Sequence, residues 1–199
     1  MIKLFWCPRT RAARALWMLE ELGEPFEVRQ IDIRDEKQKV AMDFRVASPM
    51  GKVPAIADGD VMLAESAAIC MYLADKYPTA GLAPAVDDLS RGNYLYWMTF
   101  TPGVLEPSMA EKFAGWEPNK FQHGWGDFDT MIRTLEAGLS NGPWILGSKF
   151  SAADVMLGSS AHFLKMFGIL PESKVIEAYI ERCLERPAYQ RTLARENDG

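Results

Sequence analysis

The chain has 199 residues, 48% of them apolar, with 22 basic against 27 acidic side chains and a net charge of −5. That is ample material for a core, yet no uninterrupted apolar run approaches the ~20 residues of a membrane-spanning helix, and the acidic balance argues against nucleic acid as a general partner. Three cysteines, Cys7, Cys70 and Cys183, show no metal-type spacing and read as reduced thiols of a cytoplasmic protein, and charged or polar residues from Lys3 onward leave no secretory pattern.

IKLFW at 2 to 6 reads as a short buried strand. A loop, CPRTR, follows it, and then a helix carrying Leu16, Leu19 and Glu20 that terminates at Leu22-Gly23. FEVRQI at 26 to 31 reads as a second strand.

The stretch from Met50 to Ala68, MGKVPAIADGDVMLAESAA, is the richest in chemical meaning. Val53-Pro54 enters a short strand, and a cis proline there turns the backbone of Val53 outward as an edge that can pair with an extended peptide. Asp58-Gly59-Asp60 marks a tight hairpin between AIA and VML. Ile69, Tyr72 and Leu73 then recur at helical spacing, so Glu65 and Ser66 fall in the first turn of a helix. Helix-start amides and the Ser66 hydroxyl suit a ligand carboxylate, and Glu65 suits an ammonium group beside it. An α-amino acid group at one end and a peptide backbone beside Val53 together describe glutathione.

YPTAGLAPAVDD lacks an apolar period and reads as a linker, after which only helical periodicity is found. A long helix begins near Arg91, and Pro102-Gly103 and Pro107 are expected to kink or break it. Phe128, Ile132, Leu135 and Leu139 mark one buried face of a later helix that stops at Asn141-Gly142-Pro143. Ser151 and Asp154, three apart before an apolar run, form a capping-box variant, which makes Asp154 structural. His123 and His162 read as ordinary helix residues and give a metal site or a Ser-His-Asp triad little to build on.

GKVPAI at 51 to 56 and ESAAI at 65 to 69 resemble the binding cassette of the cytosolic glutathione transferases, and the Ser151–Asp154 box resembles the cap of their core helix. The likeness extends over nearly the whole chain and is bacterial and phi-like in character. It implies an α/β plus all-α fold: a thioredoxin-like, glutathione-binding domain at 1–78, a linker at 79–87, and an all-helical bundle domain at 88–199. It further implies a homodimer that binds glutathione as co-substrate, without metal, through Lys52, Val53, Pro54, Glu65 and Ser66, Lys52 meeting the peptide backbone or glycine end. Met50 takes the place where several classes put an aromatic key for the partner subunit. Trp97, Met98, Thr101 and Phe163 are candidates for a pocket that takes a small hydrophobic electrophile, or else bundle core.

Two residues of the first loop resemble catalytic groups of the family. Cys7 before Pro8 is similar to the nucleophile of Cys-Pro thiol transferases, and Thr10 to the hydroxyl that donates a hydrogen bond to the glutathione thiolate in phi-like enzymes. In those families the catalytic residue precedes the helix end by about fourteen positions, roughly four turns. Cys7 lies sixteen before Gly23 and Thr10 thirteen, so Thr10 is the choice. Arg11 reads either as a contact to a carboxylate or thiolate or as part of a solvated face. The expected activity is transfer of glutathione to an electrophilic carbon. A disulfide reductase using Cys7 and a non-catalytic glutathione-binding protein of the same fold are the alternatives.

Overall fold

Strand β1 (Ile2–Trp6) is almost wholly buried, as an apolar strand at the centre of a small sheet must be. The computed structural model to which it belongs describes residues 1–39 and 41–198. Strand β2 (Phe26–Gln30) pairs with it in parallel, Leu4 opposite Val28. On its other side β3 (Ala55–Asp58) runs antiparallel, with Leu4 opposite Ile56, and β4 (Val61–Ala64) closes the hairpin. The sheet order is β2-β1-β3-β4, the expected thioredoxin-like arrangement. Gly59, at φ 62°, and Asp60 make the two-residue hairpin turn.

Helix α1 (Ala12–Leu22) is buried continuously from Ala12 to Leu19 because other elements cover it on several sides. It ends on Gly23 in the left-handed conformation, φ 70°. On the sheet's other face, Phe5, Ile31 and Ala55 pack with Phe44 and Ala47 of α3 (Met42–Ala47), which follows the single turn α2 (Glu36–Lys39). Helix α4 (Ser66–Lys76) starts directly after β4 and buries Ile69, Cys70 and Leu73.

The chain divides into two compact units, Met1–Ala80 with Arg186–Gly199, and Gly81–Glu185. This differs from the expected 88–199 helical domain at its far end; Gly199 itself lies outside the described residues. The segment from Arg186 onward groups with the first unit because Arg186 pairs with Glu21 at 2.6 Å, Arg191 and Arg195 pair with Glu20, and Tyr189 packs on Trp17 with ring centroids 4.3 Å apart.

The second unit is helical. Helix α5 (Arg91–Phe100) passes into a π-turn at Thr101–Leu105 and on into α6 (Glu106–Ala114). The expected break at Pro102 and Pro107 is thus a widened turn in a continuous helix, in which Glu106 N–H reaches back to Thr101 C=O. Helix α7 (Phe128–Leu139) buries the four apolar residues expected and is capped by Asp127, which accepts the Thr130 N–H. Helix α8 (Ala152–Met166) is buried from Ala152 to Ala161 and forms the centre of this unit. Its capping box is present as expected. Helix α9 (Lys174–Leu184) follows, and then α10 (Pro187–Asp198).

His123 departs from expectation. It sits in the loop before α7, where its Nδ1 lies 2.7 Å from Oε2 of buried Glu111, and it stacks on Trp125, whose indole N–H donates to the same oxygen at 3.0 Å. The carboxylate twelve positions away is a tertiary neighbour that no local spacing reveals. His162 is a half-buried residue of α8; burial, then the nearby Lys165 charge, hold its pKa below the ordinary value. Among the described residues no helix is long and apolar enough to cross a membrane, and no three His, Cys, Asp or Glu side chains are grouped to hold a metal.

Candidate functional site

Two cavities among the described residues of the first unit divide the candidate residues between them. One, of about 600 Å³, is lined by Arg11, Lys52, Val53, Pro54, Glu65 and Ser66, with Met50 at its rim. The other, of about 440 Å³, is lined by Cys7, Arg9, Thr10, Gln30 and Arg34. The five residues expected to hold glutathione are thus brought together, and Cys7 and Thr10 line the smaller cavity.

Local chemistry shapes the larger cavity. The Val53-Pro54 bond is cis. Ser48, 1% exposed, anchors the loop before it: its hydroxyl accepts the Lys52 N–H at 2.9 Å and donates to the Lys52 C=O at 2.7 Å. Gly51, at φ 63°, supplies the left-handed turn between them, closed by its N–H on Ser48 C=O. The Val53 side chain packs on the cluster around Phe44. Lys52 and Met50 are exposed, Met50 by 76%.

Glu65 is the unusual residue here. Its backbone adopts φ 71°, ψ 119°, a conformation that costs a non-glycine residue about 1–3 kcal/mol, and its side chain makes no cap on α4. Exposed Glu65 and Ser66, 9% exposed at the opening of the helix, both line the cavity. Helices α7, α8 and α9 are each capped by an Asp or Ser side chain, whereas α4, like α1, α5 and α6, has no side-chain hydrogen bond from its N-cap residue. Behind this end, Asp58 of the hairpin accepts from Tyr72 Oη at 3.0 Å and from Lys76 Nζ, tying the hairpin to α4. Burial pulls the Asp58 carboxyl up, but the hydrogen bonds and charge of Lys76 and Tyr72 together hold it below its ordinary value.

The smaller cavity opens on the loop from β1 to α1. Cys7 directly follows β1, as expected from the count along the helix, and is half-buried. The Thr10 hydroxyl accepts the Ala12 N–H at 3.1 Å and donates its proton to the Cys7 C=O at 2.7 Å. Thr10 C=O takes the Ala13 N–H and Arg11 C=O the Arg14 N–H, so the opening amides of α1 are satisfied by the chain itself. Arg9 is held at φ 57° with its N–H on Glu196 at 2.7 Å, and the other oxygen of Glu196 accepts the Trp6 indole N–H. Neither this clamp, 187 positions along the chain, nor the Ser48 bracket has a signal in the sequence.

Of the four residues considered for an electrophile pocket, Met98 and Thr101 are wholly buried and Trp97 is 5% exposed, its ring lying against Gly138 of α7. Phe163 alone is half-exposed. It stacks on Phe167, which in turn meets Phe113, both strongly exposed. Phe163 was a pocket candidate from the sequence, whereas Phe113, strongly exposed on α6, carried no such signal.

A thioredoxin-like sheet carrying a cis-proline loop beside an uncapped helix, in a chain with a second all-helical unit, defines a glutathione-dependent transferase architecture. Residues 1–75 match the family described as glutathione S-transferase, N-terminal domain, and residues 106–182 match its C-terminal domain. The chain belongs to the glutathione S-transferase family of enzymes. Glutathione S-transferase GstA of Escherichia coli O157:H7 is 26% identical over 98% of each chain. Among solved structures, a glutathione transferase from Methylococcus capsulatus strain Bath is 29% identical, with a TM-score of 0.82 over 99% of each chain. A sphingomonad glutathione S-transferase complexed with glutathione is 27% identical, with a TM-score of 0.82 over 98% of each chain.

Proposed function

We propose that this chain binds glutathione in the larger cavity, as one subunit of a homodimer, and transfers its sulfur to a small hydrophobic electrophile. The observation that carries the reading is Glu65: a strained carboxylate held beside the uncapped start of α4, in one cavity with Lys52 and Val53. Glu65 takes the γ-glutamyl ammonium, the α4 amides and Ser66 hydroxyl take the adjoining carboxylate, and the Val53 backbone pairs with the cysteinyl amide. Lys52 takes the glycine end. The peptide so anchored brings its sulfur toward the start of α1, where the helix dipole favours a thiolate.

Calorimetric binding of glutathione, with conjugation of an aromatic halide and reduction of a small disulfide followed in parallel, tests this. The unmodified protein is expected to bind and conjugate, and Glu65→Ala to weaken binding about tenfold or more, as loss of a charged hydrogen bond requires. Absence of glutathione binding defeats the reading. Disulfide reduction that disappears in Cys7→Ser, with no conjugation, makes the protein a thiol transferase instead.

A further inference from the structure

The glutathione reading draws on the larger cavity and leaves the smaller one without an occupant. Pro8 and Ile33 give the smaller cavity an apolar wall, and its charged lining is Arg9 and Arg34 against Asp32. Both arginines are exposed. Among the described residues neither guanidinium has a hydrogen bond or an ion pair; only the backbone N–H groups are engaged, that of Arg9 by Glu196 and that of Arg34 by Asp32 at 2.9 Å. Glu196 lies within reach of the Arg9 charge, but its two oxygens already accept the Arg9 N–H and the Trp6 indole N–H. The backbone of Arg9 is a second, separate observation. It stands at φ 57°, a conformation that glycine takes freely and a residue with a Cβ does not. The chain nonetheless places a guanidinium at this position and braces it from α10. Thr10 lines the smaller cavity and Arg11 the larger, so the two cavities meet at consecutive residues of one loop.

We propose that the smaller cavity receives a second substrate that carries a carboxylate, Arg9 and Arg34 being its specificity-determining residues; this rests on the glutathione reading above. The two guanidinium groups donate charge-assisted hydrogen bonds to the carboxylate oxygens, which a neutral molecule of the same shape accepts less strongly. Pro8 and Ile33 meet the apolar body of the substrate. Both arginines stay protonated and neither reacts. Charges at an exposed mouth are screened by water and salt, so the preference is modest, about fivefold to tenfold, and shrinks as ionic strength rises.

A matched pair of probes reads this preference: a chlorodinitrobenzoate and the neutral chlorodinitrobenzamide as electrophiles, with the halogen-free dinitrobenzoate and dinitrobenzamide for equilibrium binding. With glutathione saturating, the unmodified protein should bind dinitrobenzoate about fivefold to tenfold more tightly than dinitrobenzamide. After correction for the uncatalysed rates, kcat/KM should favour the chlorodinitrobenzoate by a similar factor. Arg9→Gln and Arg34→Gln should each lower the ratio and together bring it near one, with the glutathione Kd unchanged. Arg9→Gly separates specificity from folding, since it should lose the preference while the thermal midpoint holds or rises. Three results overturn the assignment: a ratio near one in the unmodified protein, a ratio that both glutamine variants leave intact, and displacement of dinitrobenzoate by glutathione. The last makes the two arginines part of the glutathione site. If the unmodified protein binds no glutathione, the functional reading fails, whereas the binding ratio taken without glutathione still reports on the arginines, so the two failures are distinct.

Discussion

The carboxylate of Asp154 receives the backbone N–H groups of Ile145 and Ser151, the Ser151 hydroxyl and the Tyr179 hydroxyl, all within 3.2 Å, and has no exposure to solvent. A truncation to alanine leaves these buried donors without an acceptor, so Asp154→Ala should cost about 3 kcal/mol in urea unfolding. Retention of full stability with loss of activity would contradict the structural role. Burial pushes the Asp154 carboxyl up to about 6 from its ordinary 3.8, against the opposing pull of its hydrogen bonds. A raised folded pKa means that the native state binds the proton more tightly than the unfolded chain does. The resulting stabilisation is complete below about pH 3.8 and is lost as pH rises through about 6. The stability advantage of the native protein over Asp154→Asn, which cannot ionise, should therefore shrink between pH 4.5 and 7; an advantage that grows with pH refutes the assignment. The box itself was legible in the sequence because both of its members lie within one helical turn. The additional bond from Tyr179, 25 positions away, was not. Thr10 shows the converse, since counting along α1 placed it near the right helix end but could not show that its proton was already taken by a carbonyl three residues back.

At the level of the element, α7 and the α5–α6 helix show where local rules yield to packing. Gly138 lies inside α7, where alanine is normally favoured by about 1 kcal/mol. A Cβ at this position would meet the Trp97 ring at 2.4 Å and Ile145 at 3.0 Å. Gly138→Ala should therefore destabilise the protein by about 1–3 kcal/mol, read as a lowered midpoint in thermal unfolding. Adding Trp97→Phe, which removes the ring atoms in contact, should recover part of the loss; equal destabilisation in both backgrounds contradicts the clash. The same contact explains why Trp97, singled out as a pocket candidate, is core. Pro102 and Pro107 read as breakers because each lacks an N–H, and only the i to i−5 bond from Glu106 to Thr101 shows how the helix absorbs them. The hairpin and the start of α4 were legible for the opposite reason: Gly59 and the change of period at Glu65 are determined within a few residues.

On the scale of the whole molecule, the first unit is discontinuous in sequence. Helix α10 brings buried Ala188, Tyr189 and Thr192 to it, and Glu20 and Glu21 receive three arginines from the same segment. A chain stopped after Glu185 should therefore unfold at a lower urea concentration and bind a hydrophobic dye, as the wholly buried Trp17 loses its cover. An unchanged midpoint without dye binding would show that α10 is dispensable. Nothing in residues 1–80 announces this dependence, because α1 reads as an ordinary helix with its apolar face toward a sheet.

Seen from the ribosome, that dependence becomes a delay. At about 5–20 residues per second, roughly 5–20 s pass between the emergence of residue 80 and that of α10. Throughout that interval the first unit exists with α1 uncovered, a species for chaperones to recognise, and one in which the loop carrying Arg9 still lacks its Glu196 clamp.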